Sequence, residues 1–158
     1  MRPFSSPGMT YSHTSIVDLS CEEMFHIVND VESYPEFISF CNAGRLDQMH
    51  ADGYTASIEF NLGKFSKHIT TRNFVSPYSS VSMRLVSGPF KRMNGTWTFS
   101  ELGEKKCQVN LEVEYEFSNR ATALALGPFT KTLPKVMLES FKSEAKRRCR
   151  NQQLANRS

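Results

Sequence analysis

The chain has 158 residues, of which 39% are hydrophobic and 22% charged, a balance typical of one globular domain rather than of a disordered or fibrous protein. No stretch offers the roughly 18 consecutive apolar residues of a membrane-spanning helix, nor the apolar core of a secretory signal. The formal net charge of +3 is concentrated at the end of the chain, because residues 142–158 contain six Lys or Arg and one Glu.

The composition predicts one domain between two short terminal segments. We expect residues 1–9 to be a disordered leader or cloning-derived sequence, residues 10–150 to form the domain, and residues 151–158 to be a disordered tail. The four cysteines, at positions 21, 41, 107 and 149, are widely spaced and unaccompanied by clustered histidines. We therefore expect free thiols in a reducing cytoplasm rather than disulfides or a zinc site.

Short elements open the domain. Residues 11–17 are predicted to form a strand, after which Ser20 is a suitable N-cap for a helix with Glu22 and Glu23 in its first turn. The helix is expected to end at Asn29-Asp30, before a second short helix that contains Tyr34-Pro35-Glu36-Phe37.

From residue 43 onward the hydrophobic period is two, which predicts strands. The inner-facing residues of the clearest strands are Ala56, Ile58, Phe60 and Leu62, then Val81, Met83 and Leu85, then Met93, Gly95, Trp97 and Phe99, and finally Val109, Leu111, Val113, Tyr115 and Phe117. Because polar residues alternate with them, each strand has one buried face. The pattern predicts an antiparallel meander whose apolar face needs a cover.

The cover is expected to be a long C-terminal helix. Its apolar stripe recurs every four residues, at Leu133, Met137, Phe141, Ala145 and Cys149. Gly127-Pro128 and Pro134 lie before or within this stripe, and proline lacks the amide proton of a helix interior. We therefore predict a break or kink between residues 126 and 134.

Three segments resemble the motifs of a known family. They are Asn29-Asp30-Val31-x-x-Tyr34-Pro35-x-Phe37-x-x-x-Cys41, Lys67-x-x-Thr70-Thr71-Arg72-Asn73 and Gly88-Pro89-Phe90-Lys91-x-x-x-Gly95-x-Trp97-x-Phe99. In this order, over about residues 10–150, they resemble the coenzyme-Q-binding START-like family of the polyketide cyclase/START superfamily, whose branch includes the bacterial ribosome association toxins.

The resemblance implies an α+β helix-grip fold. A curved antiparallel sheet of about seven strands would wrap around the long C-terminal helix, with two short helices after the first strand. It also implies two alternative functions: non-catalytic binding of ubiquinone or another lipid in support of respiration, or association with the large ribosomal subunit that hinders subunit joining. A fold of this kind cannot choose between them.

Each function has its candidate residues. The ligand-binding residues are expected to face the cavity, and they are Ile58, Phe60, Phe65, Lys67, Ile69, Val81, Met83, Leu85, Phe90, Trp97, Phe99, Leu111, Val113, Leu133, Met137 and Phe141. The RNA-binding residues are expected to be the basic ones near the C-terminus, namely Lys142, Lys146, Arg147, Arg148 and Arg150. These basic residues alternatively complement the helix dipole and bind nothing.

Several positions have two interpretations. Tyr34-Pro35 is a structural corner or a gate, and Phe90 beside a turn plugs the core or lies at the cavity mouth. Trp97 fills the core or stacks on a quinone ring. Lys67 shares its strand face with Phe65 and Ile69, so its ammonium group reaches either the cavity rim or solvent.

Catalytic signals are sparse. The four histidines are scattered over separate elements, and no nucleophile elbow, phosphate-binding loop or dinucleotide fingerprint is present. Although cyclases use similar cavities, we expect no enzyme activity, no catalytic residue, no metal, no cofactor and no DNA partner. The expected location is the cytoplasm, with peripheral contact at the inner membrane as an addition.

Overall fold

The computed structural model describes residues 8–62 and 65–156. The elements in chain order are β1 (Met9–Val17), α1 (Cys21–Asn29), a 3-10 turn (Val31–Ser33), α2 (Tyr34–Phe37), β2 (Cys41–His50), β3 (Gly53–Leu62), β4 (Phe65–Ser76), β5 (Ser80–Ser87), β6 (Phe90–Gly103), β7 (Lys106–Phe117) and α3 (Arg120–Ala155). Residues 1–7 of the expected leader lie outside the described residues, whereas Met9 already begins β1.

All seven strands form one antiparallel sheet in the order β1-β7-β6-β5-β4-β3-β2. Strands β2 to β7 follow the chain as a meander, and β1 joins the far edge by pairing Val17 with Cys107 of β7. The alternation of β7 is the predicted one, since Val109, Leu111 and Val113 are buried. The curved sheet and the long helix that covers it confirm the α+β helix-grip prediction.

Helix α1 begins with a reciprocal cap. The Ser20 hydroxyl accepts a hydrogen bond from the Glu23 amide at 3.1 Å, and the Glu23 carboxylate accepts one from the Ser20 amide at 3.2 Å. This capping box satisfies amide groups that have no partner within the helix, and it confirms Ser20 as the predicted N-cap. The Lys105 ammonium, 2.6 Å from the same carboxylate, ties α1 to the turn between β6 and β7.

Helix α3 is continuous, so of the predicted break or kink the break is wrong. Pro128 and Pro134 both lie inside it, and the side chain of Pro134 is buried. Each proline removes only one hydrogen bond, and packing of α3 against the sheet outweighs that loss. Helix α3 also continues to Ala155, past residue 150, where a disordered tail was expected.

Candidate functional site

A cavity of about 130 Å³ lies between the sheet and the first half of α3. Its wall is largely apolar and comes from α1, the 3-10 turn, α2, β2 to β7 and α3. Its volume is close to the roughly 150 Å³ of an engineered apolar cavity that admits benzene. The enclosed space is therefore the size of one ring.

Most of the predicted ligand-binding residues line this cavity. They are Ile58, Phe60, Ile69, Val81, Met83, Phe90, Trp97, Leu111, Val113, Leu133 and Met137. These residues converge because period-two strands place alternate side chains on the concave face, while Leu133 and Met137 lie one turn apart on α3.

For Trp97 and Phe90, packing in the core is compatible with a position at the cavity. Trp97 is 2% exposed and belongs to the core, yet its side chain also lines the cavity. Phe90 does the same: its ring stacks on that of Phe117, with centroids 5.3 Å apart, and it forms part of the cavity wall. Both aromatic residues are packed on one side and face the cavity on the other.

Phe141 does not line the cavity, which corrects the prediction. It is fully buried, and its ring centroid lies 5.0 Å from that of Trp97 and 5.2 Å from those of Tyr34 and Phe37. One turn after Met137, α3 meets α2, and the aromatic rings fill the space between them. Phe141 is therefore a solid core residue next to the cavity.

Three other predicted ligand-binding residues also lie away from the cavity. Phe99 packs on Phe25 of α1, with ring centroids 5.9 Å apart, because β6 continues beyond the cavity. Leu85 is half-buried outside the lining. Lys67 is exposed, since β5 pairing begins only at Thr70 and leaves this part of β4 open, which agrees with the solvent alternative. The side chain of Phe65 lies outside the described residues.

The sequence prediction missed a polar group in the wall of the cavity. Tyr54, Thr71 and Asn73 are buried and line it. The signal was present, because Thr71 and Asn73 follow Ile69 at a period of two and so share its inward face. Polar residues at inward positions of a strand indicate a hydrogen-bonding site rather than core.

Hydrogen bonds organise this polar group. The Asn29 amide Nδ2 donates to the Phe25 carbonyl at 2.9 Å, and the Tyr54 hydroxyl donates to Asn29 Oδ1 at 2.6 Å. Burial raises the pKa of Tyr54, although a hydrogen bond with Asn73 opposes the shift. Burial also raises the pKa of Tyr34, whose hydroxyl donates to the Val28 carbonyl. Both phenols therefore remain neutral hydrogen-bonding groups at neutral pH.

Of the five predicted basic residues, Lys142 is half-buried and the other four divide into two groups. The carboxylate of Glu144, whose side chain is only 1% exposed, accepts hydrogen bonds from Arg147 Nη2 at 2.9 Å and from Arg148 Nε at 3.1 Å. The hydrogen bond from Arg147 has the largest effect on the pKa of Glu144 and lowers it. Burial raises this pKa and Arg148 lowers it, so the net result is a lowered pKa. Lys146 and Arg150 are exposed and form no ion pair with another described residue. Arg147 and Arg148 are thus partly neutralised within the molecule.

Across residues 8–62 and 65–156, no three His, Cys, Asp or Glu side chains are grouped so that they could hold a metal ion. In the same part of the chain, no helix is both long and apolar enough to span a membrane.

Comparison with solved structures supports the fold. The Zhui aromatase/cyclase from Streptomyces sp. R1128 superposes with a TM-score of 0.82, covering 90% of this chain and 96% of that one, at 14% sequence identity. At this identity the similarity shows the shared fold alone.

Sequence relatives are more informative. The ribosome association toxin RatA of Vibrio cholerae serotype O1 is 38% identical over 135 residues, which cover 85% of this chain and 94% of the relative. A coenzyme Q-binding protein COQ10 homolog B of Xenopus laevis is 24% identical over 146 residues, 90% of this chain and 60% of the relative. Residues 17–142 match the family model described as polyketide cyclase / dehydrase and lipid transport. With its helix-grip fold and apolar cavity, the chain belongs to this START-like polyketide cyclase and lipid transport family.

Proposed function

We propose that the protein is a non-catalytic binding protein that holds a ring-bearing apolar molecule, of the ubiquinone type or another lipid, in the cavity beneath α3. One observation carries the proposal: a ring-sized space with largely apolar walls and Trp97 on its surface. Burial of apolar ligand surface stabilises the complex by about 25 cal/mol per Å². An indole wall adds stacking to a flat ring.

The size of the cavity limits what is enclosed. Drug-sized ligands occupy pockets of about 300–1,000 Å³, whereas this cavity measures about 130 Å³. A quinone ring fits, but a long isoprenoid tail does not. We infer that the tail leaves between β3 and α3, where Phe129 and Leu133 line the cavity and are only half-buried.

The distant relative supports a quinone as the ring. It is named as a coenzyme Q-binding protein, and its similarity to this chain extends over 90% of the chain. A role in respiration, with a peripheral contact at the inner membrane while the tail is transferred, follows from a quinone ligand. Both remain part of the proposal.

Native mass spectrometry tests the proposal. The protein is purified from bacterial cells without detergent, and the released small molecules are identified. We expect an apolar adduct that contains a ring. The matched control is Ala56→Leu, which places a larger side chain on the cavity wall and should lose the adduct. Wild-type protein that carries no apolar adduct, and takes up none from quinone-containing vesicles, contradicts the proposal.

A second candidate function is association with the large ribosomal subunit in the cytoplasm. Two observations favour it: the 38% identity to a protein named ribosome association toxin, and the exposed Lys146 and Arg150 near the end of α3. Basic side chains at one helix end suit RNA phosphates, and such contacts weaken steeply with salt. This surface lies apart from the cavity, so both functions can reside in one molecule.

Cosedimentation over a salt series tests the second candidate. The protein is centrifuged with purified large subunits, small subunits and assembled ribosomes at several salt concentrations. We expect pelleting with large subunits that decreases as salt increases. Equal recovery in the supernatant with and without large subunits at low salt contradicts ribosome association and leaves the ligand proposal unaffected.

A further inference from the structure

Asn73 carries a buried carbonyl oxygen that no described residue satisfies. The residue is 3% exposed, and its Oδ1 has no hydrogen-bond partner among the described residues. On β4 it lies between Tyr54 of β3 and Met83 of β5, both of which line the cavity, as Asn73 does. Buried polar groups in folded proteins nearly always have a partner, so this oxygen needs an explanation.

The neighbouring hydrogen bonds fix the orientation of the Asn73 amide. Asn29 donates through Nδ2 to the Phe25 carbonyl, so its Oδ1 is the group that faces Tyr54. The Tyr54 hydroxyl uses its only proton on that oxygen. Its hydrogen bond with Asn73 is therefore donated by Asn73 Nδ2, and an inverted amide would bring two acceptors together. The unpaired group is thus an acceptor.

An unpaired acceptor discriminates between ligands. A ligand that brings a hydrogen-bond donor satisfies Oδ1, whereas a ligand of the same shape without a donor leaves the oxygen desolvated and unpaired. We propose that Asn73 Oδ1 is the recognition point of the cavity and accepts a hydrogen bond from a hydroxyl or N–H group at the inner end of an otherwise apolar ligand. This inference rests on the proposed ligand-binding function.

The inference narrows the ligand class. A hydroquinone or a phenol has hydroxyl groups that donate, whereas the oxygens of a quinone only accept. Of the two redox forms of a quinone, the reduced one therefore suits Asn73. The apolar remainder of the ring faces the cavity wall along β3, from Tyr54 toward Phe60.

Isothermal titration calorimetry with two ring-sized probes tests the inference. The probes are p-xylene and p-cresol. They share one ring, and p-cresol has a hydroxyl group where p-xylene has one of its two methyl groups. The ratio of their dissociation constants is measured for wild type and for Asn73→Leu. Loss of the acceptor should shift the ratio about tenfold toward p-xylene. Asn94→Leu, the same change on the exposed face of β6, should leave the ratio unchanged.

A crystal structure of the wild type with p-cresol provides a readout that needs no variant. We expect the cresol hydroxyl within hydrogen-bond distance of Asn73 Oδ1. If p-xylene and p-cresol both bind but the ratio is the same in Asn73→Leu, or the hydroxyl lies elsewhere, the donor inference is overturned and the apolar cavity stands. If neither probe binds to wild type, the ligand-binding function fails together with the inference.

Discussion

Arg148 connects the C-terminal part of α3 to the end of α1. Its Nη2 lies 3.1 Å from Asp30 Oδ2, while its Nε donates to Glu144 Oε2 at the same distance. Asp30 is the C-cap of α1, so one guanidinium group joins the buried Glu144 carboxylate to a second helix. The end of α3 is therefore held by charges as well as by its apolar stripe.

Replacing Glu144 with Gln should destabilise the fold at neutral pH. The buried carboxylate accepts hydrogen bonds from two arginines, and hydrogen bonds to charged groups contribute about 1.5–3 kcal/mol. We expect Glu144→Gln to lower the free energy of unfolding by about that amount in urea titration. Glu139→Gln, an exposed change on the same helix, should have almost no effect.

The loss should depend on pH with a definite sign. The pKa of Glu144 in the folded protein is lowered from 4.5, chiefly by the Arg147 hydrogen bond. The carboxylate therefore contributes stability that is fully present above pH 4.5 and disappears as the pH falls through the folded pKa. Urea midpoints of wild type and Glu144→Gln should converge below pH 4.5. A difference that grows in acid contradicts the assignment.

Phe141 and Met137 should separate folding from binding. Phe141→Ala removes a fully buried ring and should cost about 3–5 kcal/mol of stability, with ligand affinity per folded molecule nearly unchanged. Met137→Ala should be less costly, because the side chain is half-buried and lines the cavity, and it should weaken ligand binding. Urea unfolding and quinone titration on both variants measure the two effects. Equal loss of affinity in both would show that Phe141 contacts the ligand.

Gly44 should tolerate no side chain. A Cβ atom there would lie 2.0 Å from the Val31 carbonyl oxygen, a backbone atom that cannot rotate away. We expect Gly44→Ala to push β2 away from the 3-10 turn and to cost at least the 1–3 kcal/mol typical of overpacking, which is about 2–12 °C in melting temperature. At Gly103 the nearest atom would be 4.0 Å away, so Gly103→Ala should melt close to wild type.

The basic residues at the end of α3 should act unequally on ribosome association. Lys146→Glu with Arg150→Glu reverses two exposed charges outside the Glu144 network, so folding should be retained while large-subunit binding and its salt slope decrease. Lys131→Glu with Lys135→Glu, exposed at the other half of α3, is the matched control. If the two double variants cosediment equally with large subunits, the surface formed by Lys146 and Arg150 does not mediate ribosome association.

Local signals explain what the sequence could predict. The Ser20 cap, the end of α1 and the inward faces of β3, β5, β6 and β7 follow from residue types within a few positions of each other. The stripe on α3 was equally visible. Its prolines were misleading, because packing on the sheet outweighed local helix propensity.

Long-range contacts explain the rest. Met137 and Phe141 belong to the same stripe, but rings of α2 pack against Phe141, so Met137 lines the cavity and Phe141 fills the core. The unpaired oxygen of Asn73 depends on how Asn29 engages Tyr54, 25 residues later in the chain. No periodic pattern encodes such a pairing. A simple count of basic residues likewise could not show that Glu144 engages Arg148.

The most direct measurement uses Trp97, the only tryptophan of the chain, which lines the cavity. Its fluorescence is titrated with a short-chain ubiquinone and, separately, with its hydroquinone. We expect saturable quenching of wild type by both forms, with tighter binding of the hydroquinone. Quenching should be weakened in Ala56→Leu but not in Thr98→Leu, which lies on the exposed face. Linear, unsaturable quenching that is identical in all three proteins would show that no ring enters the cavity.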